Sequence, residues 1–192
     1  MKLIRNIFAI FGFACFLLAG FFAFKYQDNL QQFDNKAIDV YMQMASRLLE
    51  TQDIAEAMVW KVKVDDDLTP EDVEDAMLSV AAERNIAITG VLRLGEDIEN
   101  KTGKPYRYAK IFTFCRSRVA AIMMDYSDAY SSFMPCRIAM VEDKSGQYWL
   151  YSMDMDPMIY GGKPLPQKLK TEAIKIRDIM LEMMHRGAAG DF

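Results

Sequence analysis

Histidine is nearly absent: of 192 residues only His185 carries an imidazole. General acid–base relays and nucleophile–base pairs built on histidine are therefore hard to assemble. The chain has no Gly-rich phosphate loop, no G-x-S-x-G elbow and no H-E-x-x-H pair, so the common nucleotide, acyl-transfer and zinc-hydrolase chemistries lack their usual supports. Cysteine is scarce too, with Cys15, Cys115 and Cys136 only, too few for a disulfide framework. Positive charge is also in short supply after residue 25. All 27 acidic residues follow that point but only 20 of the 23 basic ones do, leaving a remainder near −7. A surface of that sign argues against nucleic acid as a partner.

One stretch lacks charge altogether. Ile7 to Phe24 reads IFAIFGFACFLLAGFFAF, eighteen residues that as a helix rise roughly 27 Å, close to a hydrocarbon core of about 30 Å. Ile7, Phe11, Phe16, Leu17, Phe21 and Phe24 supply its bulk, with Lys2 and Arg5 before it and Lys25 after it. A cleaved signal peptide shares the charged start. Its apolar region is usually shorter, however, and Ala19-Gly20-Phe21-Phe22-Ala23-Phe24 sets bulky rings where small residues are wanted. Cys15 lies too deep in the run for lipoprotein processing. The expectation is an uncleaved single-pass anchor over residues 1–25, placed in a bacterial inner membrane. The basic residues ahead of it hold the N-terminus inside, so the rest faces the periplasm or exterior.

Beyond the anchor about 165 residues remain, enough for one core. Residues 26–54 are expected to form an amphipathic helical stalk, with Phe33, Ala37, Val40, Tyr41, Met44 and Leu48 on one face. No Gly or Pro separates it from the anchor, so a single long helix is expected. Residues 55–192 then alternate between periodicities. Met58 to Val64 reads as a strand, and Thr69-Pro70-Glu71-Asp72 opens a helix, with Thr69 as cap and Pro70 in its first turn. Strands follow over 86–94 and 106–115, separated by a polar loop over 95–105. A short helix spans 118–124, and an irregular stretch 125–135. A hairpin turns on Asp143-Lys144-Ser145-Gly146. Last comes an amphipathic helix over 167–186, which Gly187 ends. The order β-α-β-β-α-β-β-α predicts an α+β domain: one sheet with helices packed on it.

Phe114-Cys115 closing a strand, a short helix, and then Met134-Pro135-Cys136-Arg137-Ile138 opening a hairpin with Glu142 and Gly146 together resemble the domain-of-unknown-function 302 family over roughly residues 55–160. The resemblance implies a small bacterial α+β fold that forms dimers and has no established activity. The anchor, the Phe33-to-Leu48 helix and a longer C-terminal helix over 166–186 look like additions to that core.

Two groups of residues have chemistry to offer. Cys115 and Cys136 end and begin consecutive strands. Parallel strands would hold them apart; antiparallel strands would bring those ends together, allowing a disulfide or a shared ligand. The second group is sulfur from Met134, Met153 and Met155, which with the cysteines makes a soft donor set suited to Cu(I). Against it stands the use of methionine, 15 residues in all, as an adaptable filler of cores. The acids from Asp65 to Asp75 lack the spacing of a cation loop and read as a solvated turn and helix start. Catalysis is not expected, and neither is a cofactor. The favoured reading is a membrane-tethered accessory or assembly protein that self-associates or joins a larger membrane complex. The alternative is a copper or thiol-redox module.

Overall fold

A computed structural model describes Lys2 to Phe192. Helix α1 runs from Lys2 to Leu30, α2 from Ala37 to Thr51, and the single turn α3 from Ile54 to Ala57. Five strands then interleave with helices: β1 (Val59–Lys63), α4 (Pro70–Glu83), β2 (Ala87–Leu92), α5 (Leu94–Thr102), β3 (Ala109–Cys115), α6 (Ser117–Tyr126), β4 (Cys136–Glu142), β5 (Tyr148–Met153), α7 (Asp156–Tyr160) and α8 (Gln167–Ala189). A 3-10 turn over Asp128–Phe133 precedes β4. The strands form one sheet in the order β1-β5-β4-β3-β2, and every neighbouring pair is antiparallel. This is the α+β architecture that the periodicity predicts.

Local chemistry places the ends of these elements. Thr69 caps α4 by accepting from the Asp72 amide at 3.2 Å, while the Asp72 carboxylate accepts from the Thr69 amide at 2.9 Å. This reciprocal box satisfies donors that the first helical turn leaves open. In the β4–β5 turn the Asp143 carboxylate accepts from the amides of Ser145 and Gln147, from the Ser145 hydroxyl and from the Trp149 indole. These bonds hold that carboxyl far below its ordinary value. Gly146 completes the turn with a φ of 89°.

Helices α4 and α8 lie together across one sheet face. Phe112, Phe114, Ile138, Met140 and Leu150 point into this layer from the strands, and all are essentially unexposed. Val73, Met77 and Val80 meet them from α4, and Leu169, Ile176, Met180, Met183 and Met184 from α8. Five methionines here (77, 140, 180, 183 and 184) are 0% exposed. Much of the unusual methionine content is therefore core, where an unbranched thioether fills irregular gaps.

Three expectations need correction. The 95–105 segment is not simply a loop, because α5 occupies Leu94–Thr102. Glu96 and Asp97 lie in its first turn, Lys101 lies in its last, and Gly103 caps it in the left-handed region. Gly187 does not end α8, which continues to Ala189 and is capped by Gly190. Nor do the anchor and stalk form one helix. The chain breaks between Leu30 and Ala37, where the Asp34 carboxylate accepts from the Lys36 amide at 3.1 Å and the Asp34 amide donates to the Gly162 carbonyl at 2.8 Å. An aspartate that bonds its own backbone two residues on offers the chain a turn in place of a helix.

Candidate functional site

The helix-covered face leaves the other side of the sheet open. Residues that alternate with the core set point there: Trp149, Tyr151 and Met153 on β5, Arg137, Ala139 and Val141 on β4, and Ile111 on β3. Most are half-buried. The Lys61 ammonium lies 4.6 Å from the Trp149 ring centre and 5.4 Å from that of Tyr151, a cation over two aromatic faces.

Toward the β4 N-terminus this face deepens into a cavity of about 250 Å³, whose lining includes Cys136, Arg137, Tyr151, Met153, Met155 and Met158. A neighbouring hollow of about 460 Å³ lies between Met58, Tyr130, Pro157 and Gly162, and shares Phe133, Met153 and Met158 with the first. Together they make an apolar, sulfur-rich groove at the corner where β5, α7 and the 3-10 turn meet. Periodicity singles out Met153 and Met155 but misses Met58, Met158 and Tyr151. The alternation Trp149-Tyr151-Met153 was the available signal for Tyr151. Met58 and Met158 are a hundred residues apart and nothing local links them.

The antiparallel β3–β4 pairing resolves the placement of the cysteines. Phe114 is the residue opposite Cys136, so Cys115 lies one step beyond it and faces Ala87 on β2. Both thiols are free. Cys115, Cys136 and Met134 line a small apolar pocket of about 30 Å³ beneath α6, with Val119, Met123 and Met180. Met153 and Met155 belong to the larger groove instead, so the five proposed sulfur donors divide into two sets that meet only at Cys136. Among the described residues no three His, Cys, Asp or Glu side chains are grouped as metal ligands. Burial, with Cys115 close by, pushes the Cys136 thiol up to about 11, which works against a thiolate at neutral pH.

Charges near the groove are engaged in holding the fold. Asp154, 7% exposed, accepts from Arg47 of α2 at 2.5 Å and from the Asp156 amide at 2.9 Å. Asp34, 4% exposed, pairs with Lys170 of α8. Burial alone would raise the Asp34 carboxyl, but the Lys170 and Lys36 contacts outweigh it and hold it below its ordinary value. The Tyr41 hydroxyl donates to the Gly161 carbonyl at 2.6 Å. These contacts seat α2 against the α7 corner, with Ala37 and Val40 buried.

Helix α1 stands apart from this packing. Its Ala9–Asn29 segment has a mean hydropathy of 1.8 and none of its described residues is buried against the fold, so it is long and apolar enough to be a membrane span or a signal sequence. Phe11, Phe16, Leu17, Phe21 and Phe24 are 55–76% exposed. The Ile7 side chain lies outside the described residues.

A five-stranded antiparallel sheet with helices packed across one face defines a class of small α+β domain. Within that class, the chain belongs to the DUF302 family, a domain of unknown function, whose family model matches residues 60–186. The match runs through α8, so the C-terminal helix is part of the family domain and not an addition to it. A crystal structure of an uncharacterized conserved DUF302 protein from Bacillus stearothermophilus is similar in fold. It has 14% identity and a TM-score of 0.55, covering 67% of this chain and 97% of that one. No curated protein matches.

Proposed function

We propose that this is a single-pass membrane protein whose DUF302 domain acts without catalysis, as an accessory or assembly module that self-associates or joins a membrane complex. The observation that carries the reading is α1: a 21-residue apolar segment with none of its described residues buried in the fold finds its natural solvent in lipid. The basic residues ahead of it set the domain on the periplasmic or exterior side. Two features support association over chemistry. The open sheet face presents half-buried aromatic and aliphatic side chains suited to a partner. The buried carboxylates Asp34 and Asp154 are each paired with a cation in seating α2, and this holds even for Asp154, which borders the 460 Å³ hollow. The size of the full chain extracted in mild detergent tests this. A species larger than one copy plus its detergent is expected, and a monomer under every extraction condition would overturn it.

A second reading rests on the shared cavity of Cys136, Met153, Met155 and Met158. Thioethers bind Cu(I) without losing a proton, so the groove suits that ion despite the raised Cys136 thiol. Competition against a Cu(I) chelator tests it, and removing Met153 and Met158 together should abolish any retained copper.

A further inference from the structure

Helix α2 has two apolar faces, and the domain uses only one. Ala37, Val40 and Arg47 turn inward to the α7 corner. On the far side Ile38, Met42, Ala45 and Leu49 follow one another at steps of four, three and four, the spacing of a coiled-coil seam. Ile38 is 75% exposed, Met42 65% and Leu49 80%. Because the Asp154–Arg47 and Asp34–Lys170 pairs fix the inner face, this outer stripe is held at a set orientation to the domain.

We propose that this stripe pairs in parallel with the same stripe of a second copy, forming a short two-helix seam just outside the membrane. The proposal rests on the membrane reading above. Anchoring through α1 in one bilayer imposes the parallel arrangement, since both α2 helices leave the same surface. Ala45 at the middle of the seam lets the two backbones approach. Within α2 the flanking positions of a parallel pair bring Tyr41 beside Ser46, so no like charges face each other along the seam.

The charges also favour a protein over a lipid surface. A helix lying on an anionic bilayer carries Lys and Arg along its polar face. Arg47 is the only basic residue of α2, and it is bound to Asp154, while Asp39 and Glu50 flank the stripe. A four-residue seam falls short of the roughly 1,200 Å² that stable dimers of free molecules bury. Confinement in a membrane makes up the difference by raising effective concentration. The pair therefore depends on the anchor.

Disulfide trapping of the full chain in native membranes tests the seam. In a Cys15→Ala background, Ala45→Cys and Leu49→Cys are oxidised and compared with Gln43→Cys, which lies well round the helix. Trapping of a species of twice the chain mass at 45 and 49, at least about tenfold faster than at 43, is expected from the periodicity. Adding Ile38→Lys to Ala45→Cys should slow trapping by a similar factor. Equal trapping at all three positions, none at 45 and 49, or adducts of any other mass would overturn the seam. Mild-detergent size on the same membranes separates the two ideas. A multimer without trapping at 45 and 49 refutes only the seam, whereas a monomer throughout refutes the assembly reading as well.

Discussion

Replacing Asp34 by Ala should release α2 from the domain without unfolding the sheet. In the native chain the Asp34 carboxylate is 2% exposed and Lys170 is 22% exposed, and the carboxylate also accepts from the Lys36 amide. Truncating one partner of a fully buried ion pair costs about 3–5 kcal/mol. Here Lys170 can turn part-way to water and still lies 5.0 Å from the Tyr160 ring, so the loss falls nearer the range for a charged hydrogen bond, about 2 kcal/mol. That energy belongs to the seating of α2, whose other ties are Arg47–Asp154 and Tyr41–Gly161. Amide hydrogen exchange on the full chain in mild detergent is the assay. A loss of about 2 kcal/mol corresponds to roughly 30-fold faster exchange through local opening of α2, with α4 and α8 unchanged. Asp34→Asn keeps an acceptor for Lys36 and should lose about half as much. Unaltered exchange in α2, or acceleration spread evenly over α4 and α8, would refute the view that these charges serve to hold the stalk.

Other consequences can be measured on the same protein. Since the folded Asp34 carboxyl is held below its ordinary value, its contribution is fully present above about pH 4 and fades as pH falls through the folded value. Protection of α2 should drop in that window in the native chain and not in Asp34→Ala. Gly187→Ala would set a Cβ 2.4 Å from the Met77 side chain, which is 0% exposed. Overpacking of about 1–3 kcal/mol then exceeds the fraction of about 1 kcal/mol that Ala gains near a helix end, and the melting temperature should fall by a few degrees. With its thiol pushed up to about 11, Cys136 should react with a neutral disulfide reagent at pH 8 at least about 100-fold more slowly folded than unfolded.

Much of this architecture is legible in residue order. The alternation over Met58–Val64, the Thr69–Asp72 capping box and the stripe Leu169-Ala173-Ile176-Met180-Met183 each state their element locally, and the sheet follows from stringing them together. Helix α5 escapes because its residues are too polar to show a buried face, although acids at its start and Lys101-Thr102-Gly103 at its end mark a helix with the right dipole. The break after Leu30 escapes because neither Gly nor Pro makes it. It depends on Gly162 and Lys170, more than a hundred residues away. The cysteines show the same limit. Their strands are readable from sequence, but the register that sets Cys115 one step off Cys136 in a shared pocket, and parts Met134 from Met153, is a property of the folded sheet.

The fate of α1 bears most directly on the whole account. Membranes washed with alkaline carbonate and analysed by intact mass report both whether the N-terminal segment survives and where the chain resides. The full-length chain, with residues 7–24 still attached, is expected in the washed membrane fraction. A soluble chain shortened at a site near residue 24 would contradict it, and would remove the tether on which the paired α2 helices depend.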